Sequence, residues 1–297
     1  MLHFKIGPVR IAVGVNPLEV PDIWSNRYYR IFETGEEVPP DLMIRVHRDS
    51  PPPYGDAILV GELENQWRLY TKRGGWRMDF LDQIHFQPAQ VVLMNSAMSQ
   101  AEMYVTSQPA NPLEKRLVPI YLMVPFVQWW LTAWLASRAK GLILHGAAVS
   151  WEGQGMAFIG PSGSGKTTVA RWCRDEAEAQ VLSDERIVVW REENRWWVSG
   201  TPWPGELHVA SPCVVPLARF FLLNKAEVNQ FVPLPPETLV PRLIPEAYFP
   251  FWGQQEMSGL LEAAERLVGE VPAGELRCVN GPGIVSYLKE LVCPLPT

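Results

Sequence analysis

The stretch that most constrains this chain is Gly160-Pro161-Ser162-Gly163-Ser164-Gly165-Lys166-Thr167, which follows the short apolar run Met156 to Ile159. It fits G-x-x-x-x-G-K-[ST], a loop whose glycines let successive backbone N–H groups turn toward a polyphosphate. In that arrangement Gly160, Ser162, Gly163, Ser164, Gly165 and Thr168 contribute to the cradle. Lys166 reaches the terminal phosphates and the Thr167 hydroxyl ligates Mg²⁺. The spacing predicts a strand before the loop and a helix over Lys166 to Cys173 after it, with the positive end of the helix toward the anion. Such a loop implies nucleotide or polyphosphate binding, with ATP and Mg²⁺ as the expected cofactors; by itself it does not name a reaction.

The residues before the loop predict an antiparallel approach to it. Leu142 to Ser150 and Met156 to Ile159 read as two strands joined by the hairpin-length turn Trp151-Glu152-Gly153-Gln154-Gly155. Most phosphate loops are reached from a parallel βαβ unit, where no hairpin immediately precedes them. A mixed sheet is therefore expected here.

After the loop helix come Gln180 to Leu182, then Ser183-Asp184-Glu185-Arg186, then the apolar run Ile187 to Trp190. Two carboxylates at the end of a short strand can hold Mg²⁺ and take a proton from an attacking hydroxyl. The plainer alternative is a charged β-turn, where aspartate is common. Further on, Asn224-Lys225-Ala226-Glu227 approaches the guanine-reading N-K-x-D. Its last residue is glutamate and no D-x-x-G lies upstream, so a guanine site is not expected.

Elsewhere the pattern is structural. From Met1 to about Pro119, short β-like runs separated by proline and glycine clusters predict an antiparallel, helix-poor region. Lys72-Arg73-Gly74-Gly75 reads as a hairpin tip. His3, His47 and His85 have no metal-ligand spacing. Leu117 to Ser137 carries no charge over a length that would span a bilayer. Pro119, Pro125, Gln128 and Thr132 interrupt it, however, and the spacing from Phe126 predicts a buried helix of about 14 residues. Glu237 to Phe249, Gln254 to Val268 and Gly283 to Val292 read as helices. Met257, Leu260, Leu261, Ala264 and Leu267 are expected on one face of the second, and Glu275 to Val279 adds a strand. The expected division is a β-rich N-terminal domain over residues 1–120 and a phosphate-loop domain over 121–297.

Composition narrows the partners. A net charge of −6 gives no global attraction to nucleic acid or to an anionic membrane. Cys173, Cys213, Cys278 and Cys293 form no C-x-x-C pair, which suits free thiols in a reducing cytoplasm. Met1 to Lys5 lacks a positive n-region followed by an apolar run, so no secretory signal is expected.

Taken together, Leu144-His145-Gly146-Ala147, the Glu152 to Gly155 turn, the loop Gly160 to Thr167 and Leu182-Ser183-Asp184-Glu185-Arg186 resemble the C-terminal catalytic domain of HPr kinase/phosphorylase. The resemblance covers residues 140 to 225. It implies an α/β (α+β) fold in which a phosphoenolpyruvate carboxykinase-like P-loop kinase domain is built on a mixed sheet. The implied activity is ATP- and Mg²⁺-dependent transfer of phosphate to a serine hydroxyl of a protein or peptide. It further implies that Asp184 is the base toward the acceptor, Glu185 a metal ligand and His145 a neighbour of the transferred phosphate. Glu206 of Glu206-Leu207-His208 would stand near the metal, although that stretch departs from the family's Glu-Ile-Arg. Expected catalytic residues are thus Asp184, His145 and Lys166, and expected metal ligands Thr167, Glu185 and Glu206. Two other readings share the ATP affinity: a nucleotide-binding regulatory or assembly module, and a simple ATPase. For the β-rich half two roles stay open at the level of sequence, binding of the acceptor or homo-oligomerisation.

Overall fold

A computed structural model describes residues 1–14, 27–35, 38–72, 74–82, 85–105, 125–249 and 253–292. Its architecture is mixed α+β, mostly strand, with two mixed eight-stranded sheets. The chain divides into two compact units, Met1–Trp134 and Leu135–Thr297. The expected domain boundary between 120 and 121 lies outside the described residues.

The first unit carries β1 (Leu2–Ile6), β2 (Val9–Gly14), the short helix α1 (Arg27–Ile31), β3 (Leu42–His47), β4 (Ile58–Leu63), β5 (Trp67–Lys72), β6 (Gly75–Leu81), β7 (Pro88–Asn95) and β8 (Gln100–Val105). Their order across the sheet is β1-β2-β3-β8-β7-β6-β5-β4. The sequence reading of an antiparallel region needs correction at two pairings, because β2–β3 and β3–β8 run parallel. Parallel neighbours require long connections, which local alternation of apolar residues cannot reveal. Lys72 and Gly75 face each other at the end of the β5–β6 ladder, flanking the expected tip; Arg73 is outside the described residues. Residues 125–136 form helix α2, on which Trp130 donates its indole N–H to the Met98 carbonyl at 2.6 Å. Among the described residues no helix is long and apolar enough to cross a membrane. Residues 117–124 of the uncharged stretch lie outside them.

In the second unit, β9 (Gly141–Trp151) and β10 (Gln154–Ile159) form the hairpin that leads into the glycine loop and α3 (Lys166–Ala177). There follow β11 (Gln180–Ser183), β12 (Arg186–Glu192), β13 (Arg195–Gly200), β14 (Val214–Lys225), β15 (Gln230–Pro233), α4 (Pro236–Leu243), a 3₁₀ turn over Ile244–Glu246, α5 (Gln254–Glu270), β16 (Ala273–Cys278) and α6 (Gly283–Val292). β10 is antiparallel to β9 on one side and parallel to β14 on the other, and β14 is parallel to β16. The carboxyl ends of β10, β14 and β16 therefore come out at one edge, the place where sheets with parallel strands bind ligands.

Both faces of this sheet are covered, so its central strands are apolar throughout. Ala148, Ala157 and Ile159 pack toward Leu260, Ala263, Ala264 and Leu267 of α5. The alternate residues Ala147, Val149, Met156 and Phe158 pack with Val169, Ala170 and Cys173 of α3 and Ile284, Val285 and Leu288 of α6. Each large buried side chain contributes about 1.5–3 kcal/mol, so the loop leaves a strand anchored on both faces. The buried face of α5 is rotated from the one expected: Leu261 is 39% exposed, while Ala263 and Val268 are buried. Gly259 explains the rotation. A Cβ there would lie 2.0 Å from the Ala136 carbonyl oxygen, so α5 approaches the end of α2 on its glycine side.

Candidate functional site

The register of β9 assembles the site. Its first half pairs with β12 (Arg186 opposite His145), and its second half pairs with β11 (Val181 opposite Val149). β11 and β12 thus run consecutively along one side of β9. The break between them is Asp184-Glu185, level with Gly146, whose N–H donates to the Glu185 carbonyl at 3.1 Å. On the other side of β9, Ile159 is opposite Gly146, so the glycine loop leaves β10 at the same height. Two inter-strand spacings, about 10 Å, separate the loop's start from the acidic break. Gly146 accommodates both sides: a Cβ there would meet the Phe158 carbonyl oxygen at 3.0 Å and Ile187 Cδ1 at 3.4 Å.

The loop's backbone suits an anion. Gly160, Gly163 and Gly165 have φ of 153°, 78° and 104°, a region that favours glycine. Around the positions a Cβ would take at Gly163 and Gly165 there is nothing within 4 Å, so the space over the loop is open. Gly165 is the N-cap of α3 and no side chain caps that end, which leaves its first N–H groups to a ligand or water. The Ser164 hydroxyl is buried without a hydrogen-bond partner. Uncapped donors, an orphaned hydroxyl and open space together fit a polyphosphate.

Lys166 is 5% exposed, and its ammonium donates to the carbonyls of Gly160 at 2.6 Å and Pro161 at 3.0 Å. Burial pushes its pKa below the ordinary lysine value, against the raising influence of Glu246 and Glu185. A charge held this way against its desolvation favours an anion nearby. The Thr167 hydroxyl donates to the main-chain carbonyl of Asp184 at 3.5 Å.

Asp184 is 1% exposed, and its carboxylate accepts from Gly205 N at 3.1 Å and Leu207 N at 2.9 Å. Those bonds hold the Gly205–His208 turn, with the exposed Glu206 between them, against the acidic break. His145 stands between two carboxylates: Nε2 is 3.8 Å from Glu185 Oε2, and Nδ1 is 3.4 Å from Glu246 Oε2. Glu246 arrives from the 3₁₀ turn because the residues after it dock on β9. Ala247 bridges Leu144, and Tyr248 N donates to the Ile143 carbonyl at 3.0 Å. Arg186 donates to the Tyr248 hydroxyl and fixes the same segment.

His145, Ser162, Gly163, Ser164, Gly165, Lys166, Thr167, Thr168, Asp184, Glu185 and Glu206 all line one cleft. Gly160 is not part of that lining; its carbonyl accepts from the Lys166 ammonium. Glu246, Trp172, Lys225 and Asn280 were not singled out as site residues from the sequence. Lys225 alone had a signal, in the N-K-x-E tetrapeptide at the end of β14. Trp172 falls inside the helix that follows the loop, where nothing in the sequence marks it, and Glu246 and Asn280 lie far along the chain in segments without a motif. Among the described residues no group of three or more His, Cys, Asp or Glu side chains is set to hold a metal. Mg²⁺ beside a polyphosphate needs less, one hydroxyl and one or two carboxylates with phosphate oxygens and water. Thr167, Glu185 and Glu206 supply donors of that type.

The cleft therefore sets an open glycine loop against a carboxylate-bearing strand break on a mixed sheet. The chain belongs to the family described as SynChlorMet cassette protein ScmC, whose family model matches residues 120–268, half of its length. This corrects the resemblance to HPr kinase/phosphorylase: the family match is to ScmC, and no kinase family is found. Of the four stretches that carried it, the loop Gly160 to Thr167 fits the most general pattern, one that many folds reach, and the other three are short. No curated protein matches the chain. Roles for His145, Asp184, Glu185 and Glu206 accordingly rest on the geometry above.

Proposed function

We propose that this protein is an ATP- and Mg²⁺-dependent phosphotransferase that passes the γ-phosphoryl group to a hydroxyl, with a serine side chain of a protein or peptide as the acceptor class. It is built on a P-loop kinase type of mixed sheet. The observation that carries the reading is the convergence on one cleft of the open glycine loop with Lys166 and of the carboxylates Asp184 and Glu185 beside His145.

Phosphoryl transfer asks a protein mainly for positioning and charge compensation. The N–H groups at the start of α3 and the Lys166 ammonium bind the phosphate tail. Lys166 exchanges its two loop carbonyls for phosphate oxygens as it does so. Thr167, Glu185 and Glu206 would hold Mg²⁺, which when bound neutralises charge on the phosphate oxygens. Asp184, fixed by two N–H donors, orients the acceptor hydroxyl and takes its proton. His145, braced between Glu185 and Glu246, keeps Glu185 in place on the acceptor side.

Incubation with γ-labelled ATP, Mg²⁺ and a lysate of the protein's source tests this. The expected result is label in a discrete protein or peptide, stable to acid and to neutral hydroxylamine as a phosphoserine ester is. Release of labelled phosphate with no labelled acceptor would replace the proposal with simple hydrolysis. Binding of ATP with neither outcome would leave only ligand capture.

A further inference from the structure

The cleft extends past the phosphate loop. Beyond α3's first turn its wall is made of Trp172, Lys225, Val279 and Asn280, none of which has a part in the chemistry above. These residues come from three elements. Trp172 lies in the second turn of α3, Lys225 ends β14, and Val279-Asn280 follows β16. The two strand ends are tied to each other: Ala226 N donates to the Cys278 carbonyl at 3.1 Å, and Val279 N to Asn229 Oδ1 at 2.9 Å. Asn280 Oδ1 accepts the Trp172 indole N–H at 3.3 Å, which joins the helix to the strand ends. The wall is thus held in place before any ligand arrives.

We propose that this wall is a nucleobase subsite that takes the adenine ring of a nucleotide whose phosphates lie on the glycine loop. The inference rests on the nucleotide reading above and adds what the loop cannot supply, since a phosphate cradle alone does not distinguish ATP from an inorganic polyphosphate. The half-buried indole of Trp172 and the side chain of Val279, 38% exposed, offer apolar surface to a flat ring. A planar base packed on an aromatic side chain gains roughly 5- to 150-fold in affinity.

The polar chemistry favours adenine. An asparagine amide pairs a donor with an acceptor, which matches the adjacent N6–H and ring-nitrogen edge of adenine. Guanine presents two adjacent donors at N1 and N2 and needs a carboxylate opposite them. None of these four wall residues is acidic. Glu227, two residues past Lys225, does not line the cleft. This is the physical reason that the N-K-x-E tetrapeptide is not a guanine reader. Lys225 instead adds positive charge to the wall between base and phosphates.

Calorimetric titration of the full chain with Mg²⁺ and, separately, ATP, GTP and inorganic tripolyphosphate tests the subsite. ATP should bind about tenfold or more tightly than tripolyphosphate, and more tightly than GTP. Asn280→Ala and Trp172→Ala should each remove most of the ATP advantage and leave tripolyphosphate affinity unchanged. Asn280 is exposed, so its variant does not depend on refolding a core position. Equal affinity for ATP and tripolyphosphate in the unaltered protein, or a parallel loss of both in the variants, overturns the subsite while the phosphate loop stands. GTP binding more tightly than ATP overturns the adenine assignment. Binding of none of the three removes the nucleotide reading itself and this inference with it.

Discussion

Thr167 and Asp184 meet across the cleft: the threonine hydroxyl, in the first turn of the helix that opens on the glycine loop, donates to the main-chain carbonyl of Asp184 at 3.5 Å. The contact ties the N-terminal end of α3 to the break between β11 and β12. A residue that would contact a metal and one that would contact the acceptor are thereby parts of one local structure, with the Asp184 side chain turned to Gly205 and Leu207.

That arrangement makes Gly205→Ala a test of the coupling. A Cβ at Gly205 would lie 2.8 Å from Asp184 Oδ2 and 3.0 Å from Glu185 Cβ, so the carboxylate or the turn must shift. The variant should be destabilised by about 1–3 kcal/mol in urea unfolding. It should also lose phosphoryl transfer more than ATP affinity.

Lys166→Met should weaken ATP binding about 10- to 100-fold by calorimetry, the worth of a contact of about 1.5–3 kcal/mol to a charged group. Stability without ligand carries a separate signature. Because burial lowers the Lys166 pKa in the folded state, the unfolded chain binds more protons in the window from that lowered value up to 10.5. The stability of the unaltered protein relative to Lys166→Met should therefore rise with pH through that window. A difference independent of pH there would contradict the desolvated ammonium.

Glu246 has no motif around it, yet it faces Nδ1 of His145. Glu246→Gln should slow transfer about tenfold and His145→Asn about 100-fold, with ATP affinity unchanged in both, measured by label transfer at saturating ATP.

Cys173 is fully buried on the inner face of α3, and desolvation pushes its thiol up to about 12. Under native conditions at pH 8 it should resist a thiol reagent that modifies the less buried Cys213. Peptide mapping after a timed reaction reads the difference.

What could be read from the sequence was what local pattern encodes. The hairpin before the loop, the loop itself and the helix after it follow from alternation, glycine spacing and a lysine in one short stretch. Asp184 and Glu185 were visible because a charged pair interrupts two apolar strands. The parallel pairings of β2 with β3 and of β10 with β14 were not visible, because partners distant in sequence leave no trace in either strand. The same holds for Glu246 and Asn280, which reach the cleft only through the docking of Ala247 on β9 and the emergence of β16 beside β14. The face of α5 was misjudged for a related reason: helical spacing allowed Leu261 inward, and contact at Gly259 turned it out. The family resemblance failed although four short stretches carried it, because the longest of them, the glycine loop, describes a phosphate cradle that is not particular to one lineage.

The most direct test of the central claim compares the unaltered protein with Asp184→Asn, both with γ-labelled ATP, Mg²⁺ and the labelled acceptor's source lysate. Asparagine turns an N–H₂ toward a backbone N–H, a cost of about 1–3 kcal/mol, so both proteins are assayed well below their unfolding temperatures. The account predicts that Asp184→Asn binds ATP with little change and transfers no label. Equal transfer by the two proteins would contradict it.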